Sequence, residues 1–397
     1  MFKAVEVKKN FFWVGVIDWN IRDFHGYNTI RGSSYNSYLL LDEKKVLFDT
    51  VKKGFEEELL SRVSSVISPE EIDYLVINHI EPDHSGGFLK IVEAIKPEKI
   101  FLTRNGKIGL EAHLHRADFP FEVVTTGTEI KTGQNTLQFI ETPMIHWPDS
   151  MITYIPEMKI LVSQDAFGQH LATMERFDDE VDACILQQET AKYYANIVLP
   201  YSPQVQRLLK AIKEKGISPE IICPDHGVIW RKKAKEVLDL YEKWSSYKAD
   251  LRVVVIYDTM WKSTEKMAKA ITEGIQAEGV EAKLFRVNLS DWTELMAEIM
   301  EAKGLILGSS TLNNNMLPTM AGFTTYMKGL RPRQKIGAAF GSFGWSGEAV
   351  KHLNQVLEKM GTELVHQGLK VKYVPDAKAL EDCRQLGKLV AKKVKEA

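Results

Sequence analysis

Along residues 1–249 the apolar positions come in short runs at close spacing: Ser37–Leu41, Lys45–Asp49, Tyr74–Ile77, Lys99–Leu102, Thr136–Ile140, Met151–Ile155 and Lys159–Val162. Short runs bounded by turn-forming residues read as strands. Helical spacing separates some of them, in Gly54–Val66, Gly87–Ile95 and Pro203–Lys215, so this half is a strand-rich α/β unit. After Ser245-Ser246 the pattern becomes regular. Strands are expected over Val253–Tyr257, Ala282–Val287, Gly304–Leu307, Ile336–Phe340 and Leu369–Tyr373. Helices follow them over Ser263–Glu278, Trp292–Glu301, Thr319–Lys328, Gly347–Lys359 and Ala377–Lys395. That alternation predicts a doubly wound, five-stranded parallel sheet. The expected domains are 1–249 and 250–397, with no internal repeat and no low-complexity stretch.

A chain of 397 residues is more than one core usually serves, which agrees with two domains. The net charge of −2 leaves no footprint for nucleic acid or an anionic membrane. It divides unevenly: 30 basic and 36 acidic residues in 1–249, 21 and 17 in 250–397, hence −6 and +4. The apolar stretch Phe11–Ile17 is closed by Asp18 and does not read as a signal peptide, and no run approaches a membrane span. Cys184, Cys223 and Cys383 are an odd count without a CxxC pair, as expected in a reducing compartment. A cytoplasmic location is the expectation.

The segment V76-I-N-H-I-E-P-D-H-S85 places His79, Glu81, Asp83 and His84 directly behind an apolar run. Burying such groups unpaired is expensive, and a strand-to-helix loop lets several side chains converge on a cation. His146, Asp165 and His226 each also follow the end of an apolar run, and sheet ends at one rim can assemble ligands distant in sequence. Alone, His146 or His226 would read as an ordinary histidine and Asp165 as a turn residue. The clustered HxExDH reverses that reading. His113, His115, His170, His352 and His366 have no partner pattern and are expected at the surface.

His79-x-Glu81-x-Asp83-His84, followed by His146, Asp165 and Pro224-Asp225-His226-Gly227, resembles the metallo-β-lactamase fold, which implies an αββα sandwich. More narrowly it resembles the flavodiiron proteins. Hydrolases of that superfamily usually carry a histidine where Glu81 stands, and a carboxylate there favours iron over zinc. The resemblance implies that His79, Glu81 and His146 hold one iron and that Asp83, His84 and His226 hold a second. It further implies that Asp165 bridges them and that His84 is a weaker ligand than the rest. His25 and Tyr193-Tyr194 match stretches near the metals in similar proteins, with a loop histidine and buried aromatics as equal readings.

In the second half, Thr259, Met260, Trp261, Lys262, Ser263 and Thr264 follow the first expected strand and open a helix. Hydroxyls and free amides at a helix N-terminus make a phosphate cradle. Taken alone, such residues are most often a helix cap. Ser310, Thr311, Leu312, Asn313 and Asn314 follow the third strand; Ser342, Phe343, Gly344, Trp345, Ser346 and Gly347 follow the fourth. All three loops fall at carboxyl ends of strands, where doubly wound sheets bind ligands. Together they resemble the flavodoxins, which implies FMN.

Both resemblances in this order are the flavodiiron arrangement. They imply an oxidoreductase that reduces O2 to water, NO to N2O, or both, taking electrons through FMN. Without a CxxC pair for a rubredoxin module, the donor is expected to be external and rubredoxin-like, and the +4 balance suggests an acidic one. The resemblance also implies a head-to-tail homodimer, with a dimer of dimers as a further option. The competing class is a binuclear metallohydrolase, similar to glyoxalase II, with a flavodoxin-like passenger. A third reading is an electron-transfer flavoprotein whose first half is only structural.

Overall fold

A computed structural model describes residues 2–397. The chain forms two compact units, one comprising the residues up to Tyr194 together with Tyr201–Glu242, the other Ala195–Pro200 with Lys243–Ala397. The expected division at 249/250 therefore falls within the second unit. There Lys243 Nζ, in the last turn of helix Ala234–Ser245, pairs with Asp250 Oδ1 at 2.8 Å and ties the helix end to the first strand.

In the first unit a seven-stranded sheet runs in the order Val5–Lys8, Phe11–Trp13, Tyr38–Leu40, Val46–Phe48, Tyr74–Val76, Lys99–Leu102, Phe121–Val123. A five-stranded sheet contains Glu129–Lys131, Thr136–Glu141, Met151–Ile155, Ile160–Gln164 and Ile221–Pro224. Successive strand residues point to opposite faces. Tyr38, Leu40, Val46, Phe48, Val76 and Phe101 accordingly meet Phe139, Met151, Ile160 and Cys223 in the core between the sheets. The intervening Leu39, Leu47, Leu75 and Ile100 face outward and pack with Leu59, Val63, Phe88 and Ile91 of helices Glu56–Val63 and Phe88–Ile95. On the other side, helix Ser202–Glu214 buries Val205, Leu208, Leu209 and Ile212. This is the layered αββα sandwich.

One rim matters most. Glu141 lies opposite Met151 in the antiparallel pair, and Gln164 and Pro224 end adjacent parallel strands at the same end. Met151 N donates to Asn78 O at 2.8 Å, joining this rim to the end of strand Tyr74–Val76 in the other sheet.

The second unit is a parallel sheet in the order Glu281–Arg286, Asp250–Asp258, Ala302–Ser309, Ile336–Phe343, then an edge. Counted along the chain this is order 2-1-3-4-5, the flavodoxin-like arrangement. Central strands are buried on both faces, which is why VVVI and LIL read as continuous apolar runs. The fifth strand differs from expectation. Two short strands, Glu363–Leu364 and Leu369–Lys372, pair with successive parts of Ile336–Phe343. Between them Gly368 sits at φ +102°, a conformation that interrupts a strand.

Pattern reasoning missed helix Ala183–Tyr193. Its buried face carries Glu189, Thr190 and Lys192, so no apolar stripe marks it.

Candidate functional site

The rim of the first unit gathers every expected ligand. His79 follows strand Tyr74–Val76, and Glu81 precedes the short helix Pro82–Ser85. Asp83 and His84 therefore lie on a helical turn rather than in a loop. His146 lies in the connection from Glu141 to Met151, Asp165 directly follows Gln164, and His226 follows Pro224. All seven side chains are nearly buried, His146 being the most open at 16%.

Asp165 faces two ways. Its Oδ2 lies 2.8 Å from His146 Nε2 and 3.6 Å from His79 Nε2. Its Oδ1 lies 3.4 Å from both His84 Nε2 and His226 Nε2. On the first side Glu81 Oε2 is 2.8 Å from His146 Nε2. On the second, Asp83 Oδ2 lies 3.2 Å from both His84 and His226. Glu81, His146 and Asp165 thus form one group able to hold a cation, Asp83, His84 and His226 another, and His79, His84, Asp165 and Asp225 a third.

These charges shift one another. Burial opposes protonation of His79, but the negative charge of Asp165, 3.6 Å from its Nε2, outweighs that and lifts the imidazole to about 9. For His146, Asp165 and Glu81 overcome the same burial and lift it to about 10. Burial would raise Asp83, yet His84 and His226 hold it far below the carboxylate range.

The donor set fits metal. On the cluster side, His79 Nε2, both oxygens of Asp83 and Asp165 Oδ1 are buried without a hydrogen-bond partner. Each such group costs about 1–3 kcal/mol if left unsatisfied, and bound cations remove that cost. Imidazoles with carboxylates suit iron. The His226 tautomer is also fixed: Nδ1 lies 2.7 Å from the Ser34 carbonyl and must donate, which leaves Nε2 as a lone pair toward the cluster. Gly227, next in sequence, sits at φ +79°, and an added Cβ would meet the Gln169 side chain.

Two neighbours escaped sequence reasoning. Asp225 Oδ2 lies 3.5 Å from His79 Nδ1 and 3.7 Å from His84 Nδ1, behind the ligand nitrogens. Burial and the charge of Asp49 push its carboxyl well above the usual range. Its position beside His226 in Pro-Asp-His-Gly was the available signal. His170, expected at the surface, is instead 1% exposed, its Nδ1 2.8 Å from Ser33 Oγ and its ring 4.7 Å from that of His226. Its burial is decided by Tyr27, Phe24 and Tyr193, all distant in sequence. Tyr193 lies 6.0 Å from the His226 ring, whereas His25 is exposed on the turn between Phe24 and Tyr27.

In the second unit the three expected loops meet. Thr264 Oγ1 lies 2.9 Å from Ser310 Oγ and 2.8 Å from Ser342 Oγ, one hydroxyl from each loop. Lys262 holds the N-cap position of helix Ser263–Ala277 at φ +65° and gives no side-chain cap, so the first-turn amides remain free. Thr259 Oγ1 is buried and unpartnered. Free amides and spare hydroxyls at a helix N-terminus suit a phosphate monoester. Asn313 and Asn314, at φ +48° and +59°, turn the hairpin between Thr311-Leu312 and Asn315-Met316. Trp261 and Trp345 project into solvent, 90% and 83% exposed.

Comparison with known proteins agrees with this geometry. The profile of the ODP family beta lactamase matches residues 34–227, and that of flavodoxin matches residues 255–387. A nitric oxide reductase from Moorella thermoacetica is 42% identical over 99% of this chain and 100% of its own length. The structure of rubredoxin oxygen:oxidoreductase from Desulfovibrio gigas superposes with a TM-score of 0.97 at 44% identity, covering 99% of both chains. That of a flavodiiron protein from Giardia intestinalis gives 0.96 at 32% identity, covering 100% of this chain and 98% of its own.

Proposed function

The chain belongs to the flavodiiron family, and from that premise we propose that it reduces O2 to water, NO to N2O, or both, at a non-haem di-iron centre fed through FMN by an external rubredoxin-like donor. It is an oxidoreductase with two irons and FMN as cofactors. The observation that carries the reading is the Asp165 carboxylate, which offers Oδ2 to one group of ligands and Oδ1 to the other.

His79, Glu81 and His146 would hold one iron, Asp83, His84 and His226 the other, and Asp165 would be shared. When bound, the irons supply an open redox site and the flavin a nearby two-electron store. The chain supplies the rest. Asp225 sits behind Nδ1 of His79 and of His84, the position from which an outer carboxylate would orient metal-binding rings, while the Ser34 carbonyl keeps the His226 lone pair on the cluster. Near-complete burial weighs against bulky substrates, and His146, 16% exposed, marks the side of the cluster nearest solvent. In the second unit Thr259, Ser263, Thr264 and the free amides would hold the phosphate. The loops Ser310–Asn314 and Ser342–Gly347 would flank the ring.

Glu81 in the second ligand position weighs against a metallohydrolase. Relatives that match along both halves weigh against a passenger flavodoxin. A head-to-tail homodimer, joining the flavin half of one subunit to the metal half of its partner, is the working assembly in this reading. Among the described residues no helix is long and apolar enough to cross a membrane, in keeping with the proposed cytoplasmic location.

Iron and flavin analysis, coupled to O2 and NO consumption driven by reduced rubredoxin, tests the reading. It expects two irons and one FMN per chain with turnover of at least one gas. A zinc-loaded flavoprotein that hydrolyses thioesters and consumes neither gas would refute it.

A further inference from the structure

At the end of the second unit's sheet where strands begin, the solvent-exposed Lys328, Arg331, Arg333 and Lys359 line a cavity of about 210 Å³ together with the buried Met360. Lys328 and Arg331 come from the end of helix Pro318–Leu330, Lys359 from the end of helix Ala349–Lys359, and Arg333 from the loop before strand Ile336–Phe343. That loop is well defined: Arg331 and Gln334 take left-handed backbone conformations around a buried Pro332. None of the four cations pairs with a carboxylate among the described residues.

Two plain explanations fall short. Cations often offset helix C-termini, but two such ends present only about one negative charge together, which leaves about three positive charges uncompensated. General surface basicity does not account for it either, because exposed cations elsewhere in this half are paired with carboxylates, Lys269 with Glu265 and Arg384 with Glu273 among them, whereas these four are not.

We infer that this cavity is a second anion site, shaped for the phosphate groups of a small di- or polyphosphate. Two arginines line it, and a guanidinium matches phosphate oxygens in geometry as well as charge. The volume lies below the roughly 300–1,000 Å³ of a drug-sized pocket and suits a phosphate group rather than a whole cofactor. The site is separate from the flavin cradle, because strand Ile336–Phe343 has eight residues and spans about 23 Å at about 3.3 Å per residue.

The test is calorimetric titration of the FMN- and iron-loaded protein with inorganic pyrophosphate, ionic strength being held constant with NaCl. Wild type should show one saturable site. Arg331→Asn with Arg333→Gln should weaken it at least tenfold without changing FMN or iron content, Asn being chosen because it tolerates the left-handed backbone. Lys328→Gln with Lys359→Gln leaves the loop intact, should weaken binding likewise, and decides alone if the arginine variant does not fold. Absence of a saturable site in wild type overturns the assignment. So does undiminished binding in the folded variants, which would locate the anion at the irons or the flavin loops.

Discussion

Replacing Asp165 by alanine tests the bridging geometry directly. The substitution removes Oδ2 from beside His79 and His146 and Oδ1 from beside His84 and His226. Each iron therefore loses a ligand. Loss of even an outer partner of a metal ligand costs about 10–100-fold in affinity, so that is a lower bound per site. Acting at both sites, Asp165→Ala should reduce the product of the two binding constants by at least about 100- to 10,000-fold, or about 3–5.5 kcal/mol at about 1.4 kcal/mol per decade. His84→Ala removes a ligand from one iron only in the proposed assignment and should lose about half that free energy. Asp165→Asn keeps the volume but has one carbonyl oxygen to offer, so it should retain at most one iron tightly. The assay is iron per chain against a graded series of chelator concentrations, normalised to bound FMN, which reports an intact second unit. If Asp165→Ala keeps both irons at wild-type chelator midpoints, or His84→Ala loses more iron than it does, the shared-carboxylate assignment is wrong.

Residues 243–397 expressed alone should be yellow and bind FMN, and Thr264→Val should weaken that binding about tenfold by removing the hydroxyl common to all three loops; a folded, colourless fragment would refute the cradle. Mixed dimers of His79→Ala subunits with subunits unable to hold FMN should regain activity if electrons pass between partners. Verified mixed dimers that stay inactive, with a wild type active at dilutions where it is monomeric, would show transfer within one chain. Asp42 is partly buried, but hydrogen bonds from Gln134, Asn135, Thr132 and Glu43 outweigh that burial and lower its carboxyl from 3.8 to about 2. Because the folded value is depressed, the stabilisation is present above about pH 4 and is lost as pH falls toward 2. Discounted for solvent exposure, it amounts to about 1 kcal/mol, so urea curves of apoprotein and Asp42→Ala should differ by that much at pH 7, and the difference should shrink through pH 2. A difference that does not depend on pH would refute the assignment.

Elements that bury one strand face or one helix stripe were legible in the chain, because burial there is written in the spacing of apolar residues. The candidate ligands His79 to His84 were legible because four costly side chains stand together behind a strand, and the candidate flavin loops because they follow strand ends at regular intervals. What the spacing could not carry was any polar residue buried by partners far along the chain. Asp165 reads as a turn residue until the rim brings His79, His84, His146 and His226 around it. His170 reads as a surface residue until Tyr27, Phe24 and Tyr193 cover it, and helix Ala183–Tyr193 hides because it buries Glu189 and Lys192. The basic cavity likewise exists only where two helix ends and one loop converge. A hydrophobic side chain declares its burial by its own free energy of transfer, whereas a polar one is buried only at the price set by its partners, and the partners are chosen by the tertiary fold.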